Sequence, residues 1–133
     1  MYVDIAALVR EALLGNGCDP KLLANFDSHS TIALDFHDLP SIYISSQDED
    51  IWFWSRIAEY DEAALQKCGY SLLKEHMEGE AFIRSQQFQF AQNEGYLEFK
   101  ALLHPDSLQS AENFSKALEG YFERLERIIE VMH

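Results

Sequence analysis

The stretch Ile51-Trp52-Phe53-Trp54-Ser55-Arg56-Ile57 decides the fold class, because an extended chain with this sequence is apolar on both of its faces. Alternate residues of a β-strand point to opposite faces of the sheet. This strand is therefore either buried on both faces, or buried on one face and offered to a partner on the other. The sequence leaves both possibilities open.

Two shorter strands are predicted before this stretch. Their apolar positions are Ile32, Leu34 and Phe36 in the first segment, and Ile42 and Ile44 in the second. Alternation of apolar and polar residues is typical of a half-buried strand. The turn segments Asp38-Leu39-Pro40 and Asp48-Glu49-Asp50 separate the three strands. We therefore expect an antiparallel meander.

The helical period of apolar residues occurs before and after these strands. It predicts a first helix that Asp4 caps and Gly15-Asn16-Gly17 ends, followed by one more helical turn at Lys21 to Ala24. Further helices are predicted from Asp61 to Met77 and from about Ser110 to Met132. Strands are predicted from Phe82 to Phe90 and from Tyr96 to Leu103, joined by a hairpin at Gln92-Asn93-Glu94-Gly95.

The predicted order is therefore helix, three strands, helix, two strands, helix. We expect an α+β fold, in which a twisted antiparallel sheet is packed by helices, as a single domain over residues 1–133. Five short strands cannot cover both of their own faces, and three helices are few to cover them. Some apolar surface should remain for another chain, which favours a protein-binding function.

Charge and composition exclude several classes of function. The chain has 133 residues, with 10 Lys+Arg against 23 Asp+Glu and a formal net charge of −13. This charge repels nucleic acids and anionic lipid, which basic side chains would have to neutralise.

No basic segment of a secretion signal is found at Met1-Tyr2-Val3-Asp4, and we expect a cytoplasmic protein. Cys18 and Cys68 lack metal-ligand spacing and are expected to be free thiols.

Candidate catalytic residues are few. No glycine-rich phosphate loop is present, and none of the five histidines stands in a metal-binding spacing. His29 in Asp27-Ser28-His29-Ser30 and His37 in Asp35-Phe36-His37-Asp38 are the best candidates for a general base of a small hydrolase or for a metal ligand. Both segments flank a strand, where Asp and Ser commonly cap turns. We therefore predict no catalytic residue, no cofactor and no metal.

The remaining feature is a recognition surface. Trp52 and Trp54 point to the same face of one strand, with Arg56 beyond them. Aromatic side chains of this kind are frequent anchors at protein interfaces, although they can also cover the core beneath a helix.

Gly69 lies in the middle of a predicted helix, where it costs about 1 kcal/mol relative to alanine. Close approach of another backbone, including that of a symmetry mate, would explain it.

The chain as a whole, from the first helix to the last, resembles the type III secretion chaperones of Gram-negative pathogens, and more narrowly their InvB/SpaK branch. The stretches that carry the resemblance are Leu8-Val9-Arg10, Gly17-Cys18-Asp19-Pro20, Asp27-Ser28-His29-Ser30-Thr31-Ile32, Leu39-Pro40-Ser41-Ile42, Lys100-Ala101-Leu102-Leu103-His104-Pro105-Asp106 and Ala117-Leu118-Glu119-Gly120. None of these is a catalytic motif, and the specificity comes from their joint order.

The resemblance implies a homodimer without enzymatic activity or cofactor. Such a protein binds a segment near the N-terminus of an effector, keeps it extended and delivers it to the secretion apparatus, whose ATPase is a further candidate partner. The implied effector-binding residues are Ile5, Leu8, Val9, Leu13, Ile42, Ile44, Trp52 and Trp54. The implied dimer interface contains Leu65, Cys68, Gly69 and Leu72.

Three other functions remain open on the sequence. A regulator that sequesters a transcription factor would use the same surfaces, and a small hydrolase would use His29 or His37. A module for a small ligand would have an aromatic pocket. For the chaperone, Ile44→Asp and Trp54→Asp should each abolish capture of the client and leave a folded dimer.

Overall fold

The computed structural model describes residues 4–15 and 31–133 of the chain. In that part of the chain the helices are α1 (Ile5–Gly15), α2 (Glu62–Met77) and α3 (Ala111–Met132). The strands are β1 (Ile32–Leu34), β2 (Ile42–Gln47), β3 (Asp50–Glu59), β4 (Gln89–Asn93) and β5 (Tyr96–Leu102). A tight turn lies at Arg84–Gln86 and a short 3-10 helix at Pro105–Leu108. The α+β class and the order of elements are as predicted.

The strands form one antiparallel sheet in the order β1-β2-β3-β5-β4. The first three strands make the predicted meander, and β3 lies at the centre between β2 and β5. Residue pairs across the strands include Tyr43 with Trp54 and Trp54 with Lys100. This register brings side chains from three strands together on each face of the sheet.

Two tight hairpins fix that register. The β2–β3 turn consists of Asp48 and Glu49, and the β4–β5 turn consists of Glu94 and Gly95. All four residues have positive φ, from 50° at Asp48 to 83° at Gly95. Two-residue turns with two positive φ angles match the right-handed twist of the flanking strands. The predicted hairpin before Tyr96 is thus confirmed.

The alternation along β3 answers the question that the sequence left open. Ile51, Phe53 and Ile57 are buried and face the helices, whereas Trp52 and Trp54 on the opposite face are only half-buried. One face of β3 therefore belongs to the core, and the other remains partly accessible.

The core lies between the inner sheet face and α3. Phe53 makes edge-to-face contacts with Phe114 and Tyr121, with ring centroids 5.4 and 5.6 Å apart. Phe99 stacks on Tyr121 at 5.2 Å. Buried residues of α1, including Val9, join the same cluster.

The N-terminal ends of the helices are capped as their sequences predict, since Asp4 accepts a hydrogen bond from the backbone of Ala7, Asp61 from Ala63 and Ser110 from Asn113.

The strand predicted from Phe82 to Phe90 is wrong in its first half. Only an isolated bridge between Ile83 and Leu103 precedes a tight turn, and β4 begins at Gln89. Ser85 and Gln86 have φ angles of 62° and 68°, which interrupt an extended chain. The first predicted strand is also shorter, because β1 ends at Leu34 and Phe36 lies beyond it.

Several expectations fall outside the described residues, namely the helical turn at Lys21 to Ala24, the thiol of Cys18 and the histidine at position 29. Cys68 is a free, buried thiol as expected. Among the residues described, no helix is both long enough and apolar enough to span a bilayer.

Because Tyr121 is buried, we expect the stability of the fold to decrease at alkaline pH. The Tyr121 hydroxyl lies 2.9 Å from the Phe99 carbonyl oxygen and 3.0 Å from Ser55 Oγ. Burial raises the pKa of Tyr121 above its ordinary value of 10.0. Above pH 10 the unfolded state loses this proton and the folded state keeps it. The free energy of unfolding should therefore fall by up to about 1.4 kcal/mol per pH unit from this group.

Urea unfolding at several pH values above 9 measures this dependence. We expect Tyr121→Phe to remove that part of the slope, while Tyr70→Phe leaves it unchanged because Tyr70 is 74% exposed. Equal slopes for the two variants would contradict the role assigned to Tyr121.

Candidate binding surfaces on the sheet and on the second helix

The first candidate surface is the outer sheet face, which consists of Tyr43, Ser45, Trp52, Trp54, Arg56 and Lys100. These side chains come from β2, β3 and β5, and all are half-buried. An open groove of about 300 Å³ runs along this face. Its lining residues are Ser45, Ser46, Gln47, Trp52, Trp54 and Lys100. The groove thus combines two indole rings, polar side chains and one cation.

The aromatic side chains of this face hold one another in place. Tyr43 and Trp54, which are cross-strand neighbours, stack with ring centroids 4.4 Å apart. Trp54 Nε1 donates a hydrogen bond to Ser45 Oγ at 2.9 Å. Because its ring is fixed from two sides, Trp54 loses little conformational entropy when a partner binds.

The two cations of this face are held differently. Lys100 Nζ lies 4.8 Å from the centroid of the Trp52 ring. Arg56 lies 4.5 Å from the Tyr96 ring and pairs with Glu94 at 2.8 Å and Glu98 at 3.5 Å. The charge of Arg56 is therefore compensated by carboxylates, whereas that of Lys100 rests on an aromatic ring.

The structure divides the effector-binding residues expected from the resemblance into two groups. Ile5, Val9, Ile42 and Ile44 are at most 3% exposed and belong to the core. Leu8 and Leu13 are half-buried on α1, and Trp52 and Trp54 are half-buried on the outer sheet face. Only this second group offers side-chain surface to a partner. Because Ile44 lies in the core, Ile44→Asp should destabilise the fold, and the expectation that this variant stays folded is revised.

The second candidate surface is the α2 stripe, which consists of Leu65, Gly69, Tyr70, Leu73 and Met77. Its large side chains are 37% (Leu65), 74% (Tyr70), 55% (Leu73) and 63% (Met77) exposed. The spacing of three and four residues places them along one side of the helix. A row of exposed apolar side chains on one helix is typical of an interaction surface.

The expected dimer residues on α2 also divide. Cys68 and Leu72 are each 5% exposed and face the core, whereas Leu65 and Gly69 belong to the α2 stripe. A Cβ atom at Gly69 would meet nothing within 4 Å in the described part of this chain. Packing inside the chain therefore does not require glycine at this position.

A buried arginine attaches α2 to α3. Arg124, which is 3% exposed, donates hydrogen bonds to the backbone carbonyls of Glu75 at 2.9 Å and Glu78 at 2.8 Å. It also donates to Glu80 Oε1 at 3.0 Å. These carbonyls lie at the C-terminal end of α2, where the regular helical hydrogen bonds run out. Besides Arg124, the Glu75 carbonyl accepts only a long hydrogen bond from the Glu78 backbone N–H, at 3.3 Å, among the described residues. Arg124 thus fixes the orientation of the helix that carries the α2 stripe.

Sequence reasoning missed some members of both surfaces. Tyr43 and Lys100 reach the outer sheet face through the strand register, which no local pattern reveals. Leu73 and Met77 could have been found, because the apolar residues of α2 extend over more of the helix circumference than one buried stripe requires. The sequence correctly paired Trp52 with Trp54 on one face.

The described residues contain no group of three His, Cys, Asp or Glu side chains that could hold a metal ion. The side chain of His37 is 97% exposed and lies 4.0 Å from Asp38. Within residues 4–15 and 31–133, no hydrogen bond joins it to a hydroxyl or thiol nucleophile. The geometry at His37 therefore does not support the hydrolase alternative.

Comparison with solved structures shows where else this fold occurs. One chain of the heterodimeric complex ExoU-SpcU, from the type III secretion system of Pseudomonas aeruginosa, has a similar fold with a TM-score of 0.58. The two chains are 16% identical, and the match covers 92% of this chain and 96% of that chain. The fold is thus one that occurs in type III secretion complexes.

The chain belongs to the Invasion protein B family, whose sequence model matches residues 17–94. The surface presentation of antigens protein SpaK of Salmonella typhimurium (strain LT2) is 46% identical over 125 residues, which cover 94% of this chain and 93% of the relative. SpaK of Salmonella typhi has the same identity and coverage. The resemblance to the InvB/SpaK branch is confirmed, and the chain is a non-enzymatic protein of the chaperone type.

Proposed function

We propose that this chain binds the N-terminal region of type III secretion effectors in the bacterial cytoplasm, keeps that region extended, and promotes its delivery to the secretion apparatus. The observation that carries the proposal is the half-buried aromatic surface on the outer sheet face, opposite a fully packed core. Membership of the Invasion protein B family supports it.

An extended client segment suits this surface for a physical reason. Alternate side chains of an extended chain point the same way about 6.6 Å apart, which matches the spacing of Trp52 and Trp54 along β3. Apolar side chains of the client can therefore pack against both indole rings at once. Binding energy alone keeps the segment from folding or aggregating, so that no nucleotide hydrolysis is required.

The leucines at positions 8 and 13 of α1 offer a second, smaller contact. Both are half-buried and pack at the margin of the core, so that part of each side chain remains accessible. A client segment that extends beyond the outer sheet face can also contact α1. We include Leu8 and Leu13 in the proposed client-binding surface for this reason.

We also propose that two copies of the chain associate through the α2 stripe. The exposed Leu73 and Met77 would be covered in such a dimer, and Gly69 would allow the partner backbone to approach closely. Homodimers bury such surfaces by a symmetric contact in which the same patch is used on both subunits.

Leu73→Glu is expected to convert the dimer into a monomer, because a carboxylate would be buried against apolar side chains at the symmetric contact. Sedimentation equilibrium or light scattering measures the mass. Lys67→Glu is the matched control, because Lys67 is an exposed residue of α2 outside the stripe. A Leu73→Glu variant that remains dimeric would contradict the assignment of the α2 stripe as the dimer contact.

Co-expression with effectors encoded beside this gene, followed by affinity purification, tests the function. We expect at least one effector to co-purify, and its N-terminal region alone to be sufficient. Recovery of a transcription factor in place of any effector would favour the sequestering regulator instead. Failure to retain any effector segment would contradict the proposal.

A further inference from the structure

The groove on the outer sheet face carries an uncompensated positive charge. Lys100 is half-buried, and its ammonium lies over the Trp52 ring at 4.8 Å. Among residues 4–15 and 31–133, no carboxylate forms an ion pair with it, whereas the neighbouring Arg56 has two carboxylate partners. The net charge of the chain is −13, and within the described residues Lys100 is the cation that lines this groove.

The surroundings of Lys100 are suited to an anionic side chain. Ser46 and Gln47 line the same groove, and their hydroxyl and amide groups can donate further hydrogen bonds. The hydroxyl of Ser45, which also lines the groove, is already hydrogen-bonded to Trp54 and Thr31. The Trp52 and Trp54 rings form its apolar walls. A carboxylate next to Lys100 would gain a charge-assisted hydrogen bond in a partly dehydrated site.

We propose that this groove selects client segments in which an aspartate or glutamate lies within two residues of a large apolar side chain. The carboxylate binds Lys100, and the apolar side chain packs against the indole rings. This inference rests on the proposed function, since it specifies which segments the outer sheet face accepts.

The overall acidity of the protein does not oppose this selection strongly. Charges on the surface are screened over about 8 Å at physiological ionic strength. A carboxylate in contact with Lys100 therefore responds mainly to that ammonium and only weakly to the other surface carboxylates. The net charge reduces the rate at which acidic segments approach, whereas the local pair determines which segments remain bound.

A displayed library of random peptides, selected on the purified full chain, tests the inference. We expect the recovered peptides to be enriched in Asp or Glu near a large apolar residue. Lys100→Gln should remove the acidic enrichment and weaken the best peptide about tenfold, as expected for loss of a hydrogen bond to a charged group. Lys100→Glu should enrich Lys or Arg instead.

Lys67→Glu is the control, because it changes the net charge by the same amount on an exposed part of α2 and should leave the acidic enrichment unchanged. Thermal unfolding of each variant shows whether it is folded. If Lys100→Glu does not fold, Lys100→Gln alone tests the inference. Peptide binding without acidic enrichment would overturn this inference and leave the proposed function intact. Absence of binding by any peptide or effector segment would overturn both.

Discussion

Trp54→Asp should weaken capture of an effector segment by at least about a hundredfold while the chain stays folded. The indole ring is half-buried on the outer sheet face and stacks on Tyr43 at 4.4 Å, so that its loss removes a preformed anchor. The new carboxylate also introduces a charge beside the Trp52 ring. Isothermal titration with the purified N-terminal region of a co-purifying effector measures the affinity, and Trp54→Phe should retain most of it.

Ile44→Asp is the matched comparison on the opposite face of the sheet. Ile44 is 0% exposed, and a carboxylate at this position would be surrounded by core side chains. We expect a loss of more than about 4 kcal/mol in the free energy of unfolding, enough to unfold many domains of this size. A folded Ile44→Asp variant together with an unfolded Trp54→Asp variant would show that the two faces are assigned the wrong way round.

Arg124→Met is expected to lower the free energy of unfolding by about 3 kcal/mol. The substitution keeps much of the aliphatic volume but leaves the Glu75 and Glu78 carbonyls at the end of α2 without their buried donor. It also removes the contact between the guanidinium and the Phe88 ring at 4.6 Å. Urea unfolding monitored by circular dichroism measures the change.

Arg84→Met provides the control for this prediction. Arg84 pairs with Asp50 at 3.0 Å, and both side chains are well exposed, at 43% and 37%. Ion pairs with this much solvent contribute about 1 kcal/mol or less. An equal loss of stability in the two variants would mean that buried carbonyl capping by Arg124 is not what stabilises the α2–α3 contact.

Much of the fold could be predicted from the sequence, because periodicity and turn residues act locally. The helix caps at Asp4 and Ser110 and the hairpin at Glu94 and Gly95 follow from residues that are close together in the chain. The predicted strand from Phe82 failed because Ser85 adopts a positive φ angle, which nothing in its residue type indicates. The turn is closed by backbone hydrogen bonds from Gln86 to Ile83 and from Glu80 to Gln86, which the alternation of apolar residues does not predict.

The proposed binding surface was harder to predict, because both faces of β3 are apolar in sequence. Only the packing of α3 against Phe53 shows which face is inside, and that places Trp52 and Trp54 outside. The contribution of Lys100 depends on the register between β3 and β5, which joins residues far apart in the chain. The family resemblance implies that Ile42 and Ile44 bind the effector, whereas the structure buries both side chains in the core.

Intrinsic fluorescence tests the central claim most directly, since Trp52 and Trp54 are the two tryptophans of this chain and both lie on the outer sheet face. The N-terminal region of a co-purifying effector, prepared without tryptophan, is titrated into the chaperone while calorimetry records binding independently. Covering the half-exposed indole rings should shift their emission to shorter wavelength in proportion to the bound fraction. Saturable binding with unchanged emission would place the client elsewhere and contradict the account.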